Sequence, residues 1–297
     1  MREGKEQNNR IVILHHALQP KSDEDAFVIS WMARHWQQWG YQVEHQYGPS
    51  ESVDADLIII HVDLSVTPDA YLVYARSFPQ AVNLGLTDIR KSRISTNLVA
   101  ADDGYEGPVV VKSDLNHGGT PEVHVGERPK PPPLTLKQRL IRKLGLSDPT
   151  AIRDPSNYLV YPRKRQVPNS VYSNPDLVVE RFLPEPHGNE FYHRRYLYFG
   201  DAEYNEVWAG NNAINFWDDN GDRNWTEPVA DELRERRRQL GADYGKIDYV
   251  IRENRIEIFD VNRTPAGSEE DEKPEDAAWC EIVAEQLAQG IYHWLPQ

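Results

Sequence analysis

The segment from Asp243 to Pro265 constrains this chain more than any other. Ile247, Tyr249 and Ile251 alternate with Asp248 and Val250, Glu253-Asn254 turns the chain, and Ile256, Ile258 and Val261 bring it back. That is the pattern of a β-hairpin. Residues two apart on a strand share a face, so Asp260 and Asn262 point the same way, and Asp248 stands near the opposite position on the outgoing strand. Three hard oxygen ligands then converge at one end of a two-stranded ribbon. Magnesium suits such a set, because it takes one or two carboxylates and fills its other positions with water and phosphate oxygens. Taken alone, the same residues also read as a surface hairpin whose Asp and Asn face only solvent.

The 297 residues are enough to bury a sizeable core in two or three lobes. Acids outnumber bases, 47 to 33, for a formal charge of -14, which disfavours nonspecific binding to nucleic acid or an anionic membrane. The single cysteine, Cys280, excludes an internal disulfide framework and fits a reducing compartment; its helical surroundings suit a buried structural thiol. No apolar run approaches the roughly 18 residues of a membrane span. The polar N-terminus lacks a signal-peptide core, so a cytoplasmic location is expected.

The first 85 residues read as strand, helix, strand, strand, helix, strand. The strands are Ile11–Leu14, Tyr41–Tyr47, Asp56–Val62 and Ala81–Leu84; the helices are Asp23–Trp39, ended by Gly40, and Pro68–Ala75, capped by Thr67. This order predicts a small three-layer α/β lobe with a parallel sheet. No Gly-x-Gly-x-x-Gly follows the first strand, so nothing there supports dinucleotide binding. His15-His16 stands at that strand's C-terminal end, where open α/β sheets tend to meet ligands. No His-Glu-x-x-His spacing supports a zinc hydrolase.

Further on, Gly107–Lys112 reads as a strand ending in lysine and leading into a loop that contains Gly118-Gly119. A strand lysine beside bare backbone amides is an arrangement that phosphates need, although a plain turn after an exposed lysine gives the same pattern. Arg128–Pro133 is a stiff polyproline-like spacer, and Leu134–Leu146 is an amphipathic basic helix. Strands follow at Tyr158–Tyr161, Leu177–Leu183, which closes on Pro184, and Phe191–Phe199. Thr226 is placed to cap a helix over Glu227–Leu240. The C-terminal helix, Ala277–Ile291, sets Trp279, Ile282, Val283, Leu287 and Ile291 on one side.

Three pieces now stand in order: the strand lysine with its glycine loop, the Val178-Val179-Glu180-Arg181-Phe182-Leu183 hinge, and the Ile247-Asp248…Phe259-Asp260-Val261-Asn262 hairpin. Together, over about residues 80 to 267, they resemble the ATP-grasp superfamily, most closely its amino-acid and peptide ligase branch with the glutathione-synthetase type of ATP-binding domain. The resemblance implies an α/β plus α+β fold: a pre-ATP lobe over 1–85, a small ATP-grasp lobe with the glycine loop over 86–183, and a large lobe with the metal site over 184–297.

It further implies ATP and magnesium (or manganese) as cofactors, with small-molecule or peptide carboxylates and amines as substrates. A homodimer is compatible with it; a nucleic-acid or membrane partner is not expected. Lys112 would hold the α- and β-phosphates, Gly118 and Gly119 would lie in a flexible lid, and Glu180, Arg181, Phe182 and Leu183 would meet adenine mainly through hinge backbone groups. Glu190 would take the ribose hydroxyls, Arg195 the γ-phosphate, and Arg263 an acyl-phosphate or substrate carboxylate. Asp248, Asp260 and Asn262 would hold one or two metal ions. The family's second phosphate lysine has Arg90, Lys91 and Arg93 as candidates, and Asp260 stands where many members carry glutamate. The activity implied is an ADP-forming ligase working through an acyl-phosphate, with a small-molecule kinase or a non-catalytic nucleotide-binding module as alternatives.

Overall fold

A computed structural model describes residues 9–50, 53–130, 136, 158–214, 223–267 and 274–296. Its first sheet joins β1 (Arg10–His15), β2 (Gln42–Tyr47), β3 (Leu57–Ile60) and β4 (Gln80–Val82), all parallel, in the order β2-β1-β3-β4. The apolar run of β1 follows from burial on both faces. Ile11 and Ile13 pack with helix α1 (Val28–Gln38), whereas Val12 and Leu14 pack with helix α2 (Asp69–Ala75).

Two expected helix starts differ. The stretch from Asp23 is not one helix: Lys21–Ala26 is a 3-10 turn, and Phe27 is extended at φ -125° and ψ 145° before α1 begins. Phe27 is extended because it bridges to Ala266; the Val28 amide donates to Pro265 O (3.1 Å) and that of Gly267 to Ala26 O (2.8 Å). Thr67 does not cap α2, since Pro68 holds the N-cap position and the Thr67 Oγ1 accepts nothing from the helix.

The second sheet is antiparallel and small: β6 (Leu159–Tyr161), β5 (Val109–Ser113) and β7 (Leu177–Arg181), with β5 in the centre. Strand alternation divides its residues. Val109, Val111 and Val179 enter a local core, leaving Val110, Lys112 and Glu180 on the opposite face. The third sheet orders β11 (Arg223–Thr226), β10 (Ala202–Gly210), β9 (Glu190–Phe199), β12 (Tyr244–Arg252) and β13 (Arg255–Asn262), with β8 (Glu185–His187) on the side of β9. All its pairings are antiparallel. Residues 182–184 carry the chain from the second sheet to the third, as the hinge reading expects.

One face of the third sheet (Tyr196, Tyr198, Ile247, Ile258, Val261) packs on Leu233 of the helix Asp231–Gln239. The other face (Leu197, Phe199, Tyr204, Tyr244) shares a core with β1, α1 and the C-terminal helix Pro274–Ala288. That helix buries Cys280, Val283, Ala284, Leu287 and Ala288, while Ile282 is 57% exposed, so the apolar stripe is phased on Cys280 and not on Ile282. Thr226 ends a strand and caps nothing; the expected helix starts at Asp231, after Glu227 has turned back to pair with Arg194. The expected basic helix Leu134–Leu146 lies, but for residue 136, outside the described residues, as do residues 131–133 of the spacer. No described helix is long and apolar enough to cross a membrane.

Candidate active site

Between the second and third sheets runs a cleft, and cross-strand register builds its floor. Glu206 on β10 faces Arg195 on β9, Arg195 faces Asp248 on β12, and Asp248 faces Asp260 on β13. Directly opposed residues lie on the same side of a sheet, so four charged side chains cross four strands in one row. A β-bulge between Asp248 and Tyr249 leaves Phe259 as an extra residue, so both Phe259 and Asp260 line the cleft while Ile258 and Val261 remain in the core.

The second sheet supplies the roof. Lys112 Nζ sits 2.6 Å from Glu180 Oε2 and 4.7 Å from the centre of the Phe259 ring. Lys91, on α3 (Lys91–Ile94), closes the inner end, with Nζ 3.2 Å from Asp260 Oδ1 and 3.3 Å from Leu115 O. Of the three candidates for a second phosphate lysine, Lys91 is the one that lines the cleft; Arg90 and Arg93 are drawn to Asp88. Burial works against the charge on Lys91, but Asp260 and its anionic neighbours outweigh it and hold the ammonium above the usual lysine range. Burial likewise opposes the Asp260 charge, and Lys91 and then Lys246 outweigh it, holding that carboxyl below its usual range.

Arg195 is buried against Glu206 and stacks over the rings of Trp208 (4.8 Å) and Trp279 (4.9 Å). Arg181, Phe182 and Leu183 line the outer end of the cleft with Val110, Tyr192 and Ile214. The Arg181 amide is already given to Asn97 O (2.8 Å) and that of Phe182 to Pro108 O (2.9 Å), so neither can read a base edge. Glu180 turns its side chain to Lys112, which gives it a charge-pairing place in addition to a hinge backbone one.

Several expected residues stand elsewhere. Glu190 is not on the cleft wall; it opens β9 beyond the hinge and pairs with Arg223. Arg263 is fully buried behind the cleft, because it lies in the bend just after β13, where its side chain meets Ser65 of the first lobe. Its Nη2 donates to Ser65 O (3.2 Å), its Nε and Nη1 have no partner, and burial pulls the guanidinium down to about 10 against Asp63, Asp88 and Glu122. Gly118 and Gly119, with φ of 68° and 78°, do not drape over the cleft. They belong to a 3-10 turn docked on the first lobe, where Asn116 N donates to Ser65 Oγ (2.9 Å) and Ser65 N to Glu122 Oε1 (2.8 Å). His117 is the loop residue that reaches the cleft.

The acidic pair tests the metal expectation. Asp260 Oδ1 is buried without a hydrogen-bond partner, although the Lys91 ammonium stands near it, and Asp248 lies opposite. Two hard carboxylates on one wall fit a magnesium ion whose other ligands are phosphate oxygens and water. Asn262 is differently engaged: its Oδ1 accepts from the amide of Thr264 (2.9 Å) and from Thr264 Oγ1 (3.1 Å), closing the turn after β13. Among the described residues no group of three or more His, Cys, Asp or Glu is placed to hold a metal. Lys246 belongs to the site although the sequence reading passed over it. Its Nζ is 2.8 Å from Asp248 Oδ2, and the signal was its place two residues before Asp248, on the same strand face.

No protein-family model and no curated protein matches the sequence. Among solved structures, the fold is similar to D-alanine–D-alanine ligase from Bacillus anthracis complexed with ATP, at TM-score 0.47, 13% identity and 97% coverage of both chains. It is similar to a RimK domain ATP-grasp protein from Sphaerobacter thermophilus, at TM-score 0.44, 12% identity and 95% and 99% coverage. Macrocyclase MdnC from Microcystis aeruginosa, bound with precursor peptide MdnA, gives 0.42, 9%, and 94% and 99%. At these scores the reading of the site rests on this chain's own residues.

Proposed function

We propose that this chain is an ATP-grasp enzyme, an ADP-forming ligase that binds ATP in the cleft and joins a carboxylate to an amine or thiol. The observation that carries the reading is the charged row on the third sheet, facing two buried lysines and ending at an apolar hinge. A triphosphate needs cations along its length and an apolar slot at its base. Lys112 and Lys91 supply the first, and Phe182, Leu183, Val110 and Ile214 the second. Each lysine rests on a carboxylate, Glu180 or Asp260, so that neither is buried unpaired.

Arg195, held by Glu206 and two indole rings, is preorganised to meet charge developing on a transferring phosphoryl group. Asp248 and Asp260 would hold magnesium, which neutralises phosphate charge and orients the chain of oxygens. The protein's own part is positioning and charge neutralisation, so this chemistry requires no nucleophilic Ser-His-Asp or Cys-His set. A carboxylate oxygen of the substrate attacks the γ-phosphorus, ADP leaves, and the nucleophile then displaces phosphate from the acyl carbon. A non-catalytic module would bind ATP without turnover, and a kinase would leave a phosphorylated product with no condensed one.

The test is calorimetric titration of ATP, with and without magnesium, into the native chain and into Lys112→Ala and Asp260→Ala. Magnesium-dependent binding that both substitutions weaken is expected. No binding in any condition overturns the nucleotide reading, and ligase activity with it.

A further inference from the structure

A second cavity opens beside the cleft, between the first lobe, the glycine turn and the end of β13. It is walled in part by Gln19, Asp63, His117, Thr120, Asn262 and Thr264. Two features join it to the cleft. His117 lies on both walls, and Asn262 stands two residues beyond Asp260 on the same face of β13, about 7 Å along the strand. A group activated near Asp260 is therefore within reach of a nucleophile held in this cavity.

The charge on its walls is one-sided. The ionisable lining residues are Asp23, Asp63, His117 and His124, and no Lys or Arg is among them. His124 is exposed and leans on Asp23 at 3.7 Å, leaving Asp63 as the inner charge. Asp63 Oδ1 accepts from Thr264 Oγ1 at 2.7 Å. Burial, with Glu122 adding to it, pushes the Asp63 carboxyl above its ordinary value against the opposing pull of Thr264, His117 and Arg263. Arg263 itself is sealed in the interior and does not reach the cavity. A cation entering here gains a carboxylate. An anion meets that carboxylate with imidazoles but no Lys or Arg on the walls, an arrangement that costs it its hydration for little in return.

A second observation points to a ligand with a neutral polar group. Gln19 lines the same cavity and is only 8% exposed; its side chain also meets the His15 imidazole, but its Nε2 makes no hydrogen bond of good geometry. A buried amide N–H in this condition calls for an acceptor, and a carbonyl oxygen is one that does not bring a charge.

We propose that this cavity holds the amine co-substrate, and that it selects a primary amine with no carboxylate beside it. The ammonium sits at Asp63, and a neutral carbonyl is within the range of Gln19. An amino-acid amide or the amino end of a peptide has this chemistry, and a free α-amino acid does not. The proposal rests on the ligase reading for the word co-substrate. The charge selectivity of the cavity stands on its own walls.

Glycinamide and glycine differ in little but the carboxylate, which makes them the probes. Their binding is measured by ligand-observed NMR on the native chain, Asp63→Asn and Thr120→Lys, with ATP titrated into each in parallel. Glycinamide is expected to bind at least tenfold more tightly than glycine. Each substitution is expected to weaken glycinamide at least tenfold while leaving the ATP affinity within about twofold. Thr120 is exposed on the rim, so its lysine variant decides the matter if Asp63→Asn fails to fold. Equal or tighter binding of glycine, or glycinamide binding unchanged by Thr120→Lys, overturns the proposal. So does a chain that takes ATP and no glycinamide. Loss of ATP binding with the glycinamide preference intact removes the ligase reading and leaves a cation-selective cavity.

Discussion

Lys91→Met tests how the cleft is held together. The ammonium of Lys91 is 3% exposed and stands 3.2 Å from Asp260 Oδ1. At an effective dielectric of about 20, two charges at that distance attract by about 5 kcal/mol, before desolvation is subtracted. Removing one member strands a buried carboxylate, a change that costs about 3 kcal/mol or more. In a chain of this size that lowers Tm by roughly 6 °C or more. The sign with pH follows from Asp260. In the native chain its carboxyl is held down, so its stabilising contribution is present above the unfolded carboxylate range and is lost as pH falls through the folded value. In Lys91→Met the largest part of that contribution is gone, with Lys246 left, so the difference from native narrows on acidification. Urea unfolding of Lys91→Met, Asp260→Asn and the double variant gives the coupling directly. Magnesium restores a cation beside Asp260, so it should raise the Tm of Lys91→Met more than that of the native chain. A coupling indistinguishable from zero, with no differential effect of magnesium, would refute the claim that this pair closes the cleft.

Other consequences are as direct. Arg195→Lys keeps the charge but loses the planar stack between Trp208 and Trp279, and ATP turnover, followed by ADP release, should fall by about 10²-fold with a smaller change in ATP affinity; equal turnover would contradict it. Burial lowers His15 to about 3 and pushes His61 well below its ordinary value. Both bind protons more readily unfolded, so the stability they permit is full above about 6.5 and is lost below it, by about 2.7 kcal/mol per pH unit for the pair. Denaturant midpoints from pH 7 to 5 would show that slope, with a shallower one for His61→Leu. Gly119→Ala places a Cβ 2.9 Å from Leu115 Cδ1 at a φ of +78°, and should cost about 1–3 kcal/mol in urea; an unchanged midpoint would show that the turn adapts freely.

The hairpin and the first-lobe strands were legible because burial imposes a simple rhythm on them. β1 is apolar throughout because both its faces are covered, and the Glu253-Asn254 turn brings Asp248 close to Asp260; the bulge at Phe259, which the alternation does not announce, puts them directly opposite. β10 and β11 were not legible. Glu206 and Asn205 on β10 are buried polar residues that meet Trp279 and Tyr249, partners far along the chain, which erases the alternation that marks a strand. Lys112, Glu180 and the acidic pair could be seen in the sequence; that each cation would rest on a carboxylate could not, since Lys91 meets Asp260 only when a short helix folds back onto a strand from the far end of the chain. Glu190 and Arg263 stand off the cleft wall for a related reason: which wall a residue at the end of a strand or just past it faces is set by packing between lobes.

Asn83 shows what this packing does to motion. At φ 64° it gives its amide to Asp243 Oδ2 (2.8 Å) and its Nδ2 to Tyr244 O (2.8 Å), and its Oδ1 accepts the amides of Asp243 (3.0 Å) and Tyr244 (2.9 Å). With the seam at Phe27 and the shared core of α1 and the C-terminal helix, this fastens the first lobe to the third sheet as one anvil. The second sheet, the smallest of the three, is fastened differently: it joins the rest through residues 182–184, the segment before β5, the turn after β5 that docks on Ser65, and the ion pairs of the cleft itself, so the geometry around Asp63, Asp248 and Asp260 rests on the anvil rather than on this sheet.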